Sequence, residues 1–337
     1  MWPILMQLHG MPHVPVMVVG IYSSMSKPTN AEAVLRPLVT ELNRLRENGL
    51  AIHNRLYSVS VRAIIADSPA RAFIKQVVNY NGVHGCMKCK CVGVSLRKPK
   101  KVIFEDMFAA NRTDEEFRNE RCTGHGHRKG PTPLTDLRGF DMIEGMPIGD
   151  KLHLIDLGVM QKLLLGWVLG ELVPFKKWSA CDRNEISEEL ISIKLPSEFL
   201  RKFRSLDVLH YWKGAEFGYF LSYGGIIVLQ DRIGKVAYEH FKLLYCAISL
   251  LSFNAFISHW ELRKFVQDFS RVYHRNYLVS NVHLLLHLYD DVRSLGPLST
   301  FSTYPFKDML QHIKHGYVRT SKWVQEFGTG NRKNNFA

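Results

Sequence analysis

Two pairs of metal-binding side chains set the strongest condition on how this chain folds. Cys86 and Cys89, in HGCMKC, put two thiolates on one tight turn, which is half of a tetrahedral zinc site. His283 and His287, in NVHLLLHL, stand at i and i+4, so on a helix both imidazoles share one face, the geometry a single metal needs. Four protein ligands would leave no open coordination position for water, so a zinc held by both pairs is structural. Other ligands compete for the second half: Cys91, Cys122, and the His125-Gly126-His127 pair. The two histidines also read as an ordinary pair of core or helix-surface residues. Six cysteines in 337 residues, three of them clustered, fit a reducing compartment better than a secreted disulfide framework. The opening MWPILMQLHGMP lacks the basic and long apolar regions of a signal peptide.

Residues 1–25 alternate short apolar runs with Pro and Gly, which predicts two adjacent strands joined by a turn around Gly10 to Pro15. NAEAVLRPLVTELNRLRENG predicts a helix from Asn30 to Gly49, with Pro37 as a local objection. YSVSVRAIIAD reads as a central strand, and Ser68 with Pro69 then open a helix, leaving Asp67 at the strand's end. KVIFE, from Lys101, reads as a further strand. Polar residues 106–150 predict loops and short helices, and the segments 151–172, 184–205, 234–260 and 261–290 are mainly helical in period. Leu243 to Trp260 runs without a charge for about a bilayer's thickness, but Ser249, Ser252, Asn254, Ser258 and His259 interrupt it, so it reads as a buried helix and no membrane is expected.

An apolar fraction of 46% suffices for one large core or two modest ones. Forty-four Lys and Arg against 31 Asp and Glu give a formal charge of +13, and such a field draws phosphate backbones. The basic clusters are Arg97, Lys98, Lys100 and Lys101; His127 to Lys129; and Arg201, Lys202 and Arg204, the last with Tyr211 and Trp212 nearby in sequence. They predict a nucleic-acid partner rather than a small-molecule substrate. A carboxylate at the end of a buried strand is where a divalent cation for phosphoryl transfer can sit, and Asp67 fits that place or a plain helix cap. Glu216, in WKGAEF, is a second candidate acid, with a buried ion pair as its other reading.

The ordered set of WPI at 2–4, GIYSSMSKP at 20–28, AIIADSPARAFIK at 63–75, HGCMKC at 84–89, RTDEEFR at 112–118, KLHLIDLGVMQKLL at 151–164, LPSEFLRKFRSL at 195–206, WKGAEF at 212–217 and the run from Asn281 to Leu310 resembles the catalytic core of CACTA-type (En/Spm-like) DNA transposases, which share their plan with the RAG recombinase. The resemblance implies an α/β fold: an incomplete RNase H-like core interrupted by a large, mainly α-helical insertion and stabilised by zinc. It divides the chain into core at 1–105, loops and helical insertion at 106–290, and a C-terminal core region at 291–337. It makes Asp67 the second acid of a triad that binds Mg²⁺, and Cys86, Cys89, His283 and His287 the zinc ligands that pin the insertion to the core.

Two departures from the family follow from the same alignment. The first acid and first strand would precede Trp2, and the third acid falls on Lys307 in PFKD, where an ammonium repels the dications a carboxylate would hold. Asp308 points roughly 100° away on a helix. A sheet without its first strand would also leave a central edge unpaired, favouring aggregation or a partner. The expectation is therefore a nuclear, transposase-derived protein without activity that binds DNA or other transposase subunits as a homo- or hetero-oligomer. The alternatives are a fragment of an active Mg²⁺-dependent transposase, or a zinc-stabilised scaffold that represses an intact one.

Overall fold

A computed structural model describes residues 2–24, 26–119, 126–199, 201–253 and 260–314. The chain is mixed, about 51% helical with small sheets, and divides into two compact units, Met1–Pro28 with Thr303–Ala337, and Thr29–Ser302.

In the first unit β1 (Trp2–Met6) and β2 (Met17–Tyr22) form the expected antiparallel hairpin, with a register shift between Ile4 and Leu5. Val18, Val19 and Ile21 are exposed on it. Residues 304–314 are helical, and Lys307 and Asp308 both face solvent there.

The second unit opens with α1 (Ala31–Asn48), capped by the Asn30 side chain on the Glu32 N–H at 2.7 Å. Pro37 lies inside this helix on its exposed side. The carbonyl that its missing N–H leaves free is therefore open to water, and the objection raised by the sequence has little weight. Gly49 ends the helix at φ 69°, where a Cβ would sit 2.8 Å from the Leu56 side chain. The chain then makes a small hairpin of β3 (Leu50–Ile52) and β4 (Arg55–Tyr57) through His53 and Asn54, both at positive φ.

The central strand expected over 57–67 does not form a ladder. Among the described residues the sheets are three separate two-stranded hairpins. Residues 58–67 are free of regular structure, bonded through Ile64 N–H to Gly145 O at 2.9 Å and through the Arg62 guanidinium to the carbonyls of Leu295 and Thr300. Ala63 and Ile65 pack against the core without a strand beside them. Then α2 (Ser68–Lys75) follows, with Asp67 rather than Ser68 as its N-cap. The third hairpin, β5 (Val94–Leu96) and β6 (Lys101–Ile103), carries Arg97, Lys98 and Lys100 in its turn.

Short elements occupy the described parts of 106–150 as expected, among them α3 (Asp114–Arg118). From Lys151 the unit is helical. A π-helix, Lys151–Met160, runs into α4 (Gln161–Leu169). Together they have the length and hydropathy to cross a membrane, but two-thirds of the window (67%) is buried inside the protein, as in a core helix. Then come α5 (Ala180–Ser192), α6 (Gly214–Tyr219), α7 (Gly225–Val228), α8 (Lys235–Leu251) and α9 (Trp260–Val272). The charge-free stretch at 243–260 is α8 in its first part, with Leu244, Ala247, Ile248 and Leu251 buried, and residues 254–259 lie outside the described residues. Finally α10 (Ser280–Leu284) tightens into a 3₁₀ turn at Leu285–His287 and continues as α11 (Leu288–Leu295). Trp167, Phe217, Phe220, Phe241, Phe265 and Phe269 are fully buried at the centre of these helices.

Candidate metal centre

The Cys86–Cys89 turn is built by what precedes it. Gly82 and Gly85 let the chain fold back on itself, Gly82 N–H donating to Asn79 O at 2.8 Å and Gly85 N–H to Gly82 O at 3.0 Å. A Cβ on Gly85 would lie 2.6 Å from Asn79 O, so the turn has no room for a side chain there. The Cys89 N–H then points at Cys86 Sγ, 3.4 Å away, which supports negative charge on that sulfur. Opposite the turn, the 3₁₀ winding at 285–287 carries His287 further round the helix axis than an α-helix would.

The two halves meet. Cys89 Sγ is 3.3 Å from His283 Nε2, Cys86 Sγ is 3.6 Å from His287 Nε2, and the two sulfurs are 3.4 Å apart. All four ligand atoms lie within 4.8 Å of one another and all four side chains are buried. Tetrahedral zinc, with bonds of about 2.3 Å to sulfur and 2.0–2.1 Å to nitrogen, requires S···N near 3.6 Å and S···S near 3.8 Å. The donors stand within a few tenths of an ångström of that spacing, so this group can hold a zinc ion. Of the donors, Cys86 is poised to bind as a thiolate. Burial opposes ionisation of Cys86, yet hydrogen bonds from Cys89, His283 and His287 outweigh it and hold that thiol well below its usual range. His283 is likewise disfavoured as a cation by burial but raised by Cys86, while Cys86 and Cys91 push Cys89 up.

Two of the competing ligands fall away. His127 is buried elsewhere, its Nδ1 on His84 O at 2.8 Å, and burial, then Arg112, lower it to about 3. Cys91 is buried beside Cys89 without joining the four, and Cys122 and His125 lie outside the described residues.

A second tether lies beside the Cys–His group. Lys88, between the two cysteines, pairs with Asp291 on α11 at 2.7 Å, and both are buried. Lys88 Nζ also donates to Ile143 O at 2.6 Å, and Asp291 Oδ2 accepts from the Ile148 and Gly149 N–H groups at 2.7 and 2.9 Å. Arg112 closes the turn from the other side through Cys86 O at 3.1 Å. Arg71 and Lys75 of α2 are buried close by, donating to Pro147 O and Met142 O, each at 2.6 Å. Burial drops Lys75 to about 7. Part of the basic excess is thus turned inward onto the backbone of 142–147. Neither the Lys88–Asp291 pair nor these buried cations has a sequence signature, because each joins common residue types across long separations.

The acids expected at a catalytic site are locally engaged. Asp67 is exposed and caps α2 through the Ala70 N–H at 2.8 Å. Glu216 is buried, accepts from Nε and Nη2 of Arg204 at 2.5 and 2.9 Å, and caps its own helix through the Lys213 N–H at 2.7 Å. Arg204 is therefore held by a carboxylate, whereas Arg201 and Lys202 are exposed, as are Arg97, Lys98 and Lys100; Lys101 is half-buried. Among the described residues, the four-ligand Cys–His group is the one cluster placed to hold a metal. No protein-family model matches the chain, and no curated protein is similar to it.

Proposed function

We propose that this chain is a transposase-derived, zinc-stapled protein that binds DNA without cutting it, its ancestry being the RNase H-like plan of the CACTA-type enzymes. One observation carries the reading. The resemblance required Cys86 and Cys89 to meet His283 and His287, residues 194 and 201 positions apart in their pairs, and those side chains converge with the spacing zinc needs. Zinc there supplies a fixed, redox-silent junction, and the protein's own groups orient it: the Gly85 turn, the Cys89 N–H and the 3₁₀ winding. The non-cutting part is supported by Glu216, whose carboxylate is committed to Arg204, by Asp67, whose carboxylate caps α2, and by Lys307, exposed where the family's third acid aligns. The DNA-binding part is supported by the net charge of +13 and the exposed cations of the β5–β6 turn. In this reading the protein works in the nucleus, alone or beside related transposase subunits.

Protein purified without chelator is expected to carry about one zinc by elemental analysis. It should bind duplex DNA with an affinity that falls steeply with salt, and leave supercoiled plasmid intact in Mg²⁺ or Mn²⁺. Less than half an equivalent of zinc removes the staple, salt-insensitive binding removes the phosphate-driven contact, and plasmid nicking that Asp67→Asn abolishes restores the enzyme.

A further inference from the structure

Two lysines from distant parts of the second unit stand over one aromatic ring. The ammonium of Lys101, the first residue of β6, lies 4.7 Å from the centroid of Tyr277, and that of Lys162, in the first turn of α4, lies 5.6 Å from it. The triangle they make holds the two ammonium groups no more than about 10 Å apart. Tyr277 is itself held, its hydroxyl accepting the Val173 N–H at 3.4 Å and its backbone N–H bonded to His274 O at 3.0 Å.

Among the described residues neither ammonium has a hydrogen bond or an ion pair, in contrast to Lys90, Lys151 and Lys264, which are paired with carboxylates. Burial lowers the basicity of both, and Lys101 lowers that of Lys162 further; Glu171 is close enough to counter this in part but not to pair. Like charges brought together and partly desolvated cost stability, and the ring's quadrupole offsets only some of it. The missing component is an anion. Phosphates suit the place, because the oxygens of one phosphate, or of two successive phosphates on a strand, can accept from ammonium groups within that distance. From Lys101 the positive strip continues outward along the hairpin turn through Arg97, Lys98 and Lys100, all exposed.

We propose that Lys101, Lys162 and Tyr277 form a seat for a phosphate group of a nucleic-acid backbone, extended along the strand's path by Arg97, Lys98 and Lys100. The proposal deepens the DNA-binding reading and rests on it for the source of the phosphate. Lys162 adds a contact that the basic runs of the sequence do not contain, since it stands alone in an apolar helix.

The test compares wild type, the double variant K101Q/K162Q, and K194Q/K235Q, which removes the same charge from two exposed lysines elsewhere. Binding of a 30-bp duplex of mixed sequence is followed by fluorescence anisotropy over a range of salt concentrations. Thermal unfolding is recorded with and without inorganic phosphate. K101Q/K162Q is expected to lose at least about tenfold in affinity at 0.1 M salt and to flatten the salt slope by roughly 2, while the control changes little. With no polyanion present the double variant should melt no lower than wild type, because two unpaired half-buried charges have gone; this separates a lost contact from a lost fold. Equal losses in both double variants, or none in K101Q/K162Q, overturn the seat while leaving DNA binding in place. If wild type binds no duplex but is stabilised by inorganic phosphate through Lys101 and Lys162, the nucleic-acid source is wrong; if neither ligand binds, both readings fail.

Discussion

The Cys–His junction and the acidic positions Asp67 and Glu216 were marked by the same kind of sequence reasoning, yet the fold treats them in opposite ways. At the junction four donors from segments 194 residues apart are brought within 4.8 Å and buried, with a Cys86 thiol whose ionisation its neighbours favour, an unpartnered His283 Nδ1 and no local task that would explain them. Asp67 and Glu216 each finish a helix N-terminus with their own backbone neighbours, and Glu216 neutralises Arg204 as well. A side chain assembled at long range without local use marks a ligand; one that satisfies its own turn has already found its role.

The largest effect that separates the two regions is expected from Cys89→Ser. Binding of structural zinc is worth roughly 10–16 kcal/mol in small domains at neutral pH, so this change should abolish zinc retention and the cooperative unfolding transition. A strong chelator should do the same to wild type; persistence of a sharp transition at unchanged temperature would break the comparison at its stronger end. Next is Lys88→Met, which strands the Asp291 carboxylate in a buried position and should cost about 3–5 kcal/mol in urea unfolding. Replacing both, with Met and Leu, should recover only part of that loss, because the Ile148 and Gly149 N–H groups then lose their acceptor.

A pH-dependent effect of similar reach comes from His240, which stacks on Phe265 at 4.2 Å and is lowered to about 4, first by burial. Its folded value lies below its unfolded value, so its neutral form favours the fold above pH 6.5. Stability should then decline as pH falls from about 6.5 towards 4, by about 3 kcal/mol at most. His240→Gln should flatten that decline in urea midpoints measured between pH 7 and 4.5. The smallest effect belongs to Asp67. Asp67→Asn keeps a good cap and should change stability by no more than a few tenths of a kcal/mol, against about 1 kcal/mol for Asp67→Ala. A loss well above that on the Asn change would show a carboxylate with more to do than cap α2.

What was legible in the sequence was what is local. The β1–β2 hairpin, α1 between Asn30 and Gly49, and the Cys and His pairs each depend on spacing over a turn or two. Residues 57–67 show the limit. Their alternating character reads as a central strand, and although no strand forms, Ala63 and Ile65 do pack inward. Alternation carries no information about a hydrogen-bonding neighbour, and none but Gly145 is found for the Ile64 N–H. The cap of α2 moved by one residue because Asp67 and Ser68 are equally good acceptors. Lys88 with Asp291, and Lys101 with Lys162, were illegible because long-range partners of common types leave no periodic trace.

The separation of the four candidate ligands also has a temporal side. At roughly 5–20 residues per second of synthesis, Cys86 and Cys89 leave the ribosome some 10–40 seconds before the last of the histidines that complete the set. Through that interval the two thiols are nascent-chain groups without their partners, exposed to oxidants and to other metals. A translation product that stops short of His287 never leaves the interval at all. With a metal bound there, only chains that reach their second histidine would complete its set of four ligands.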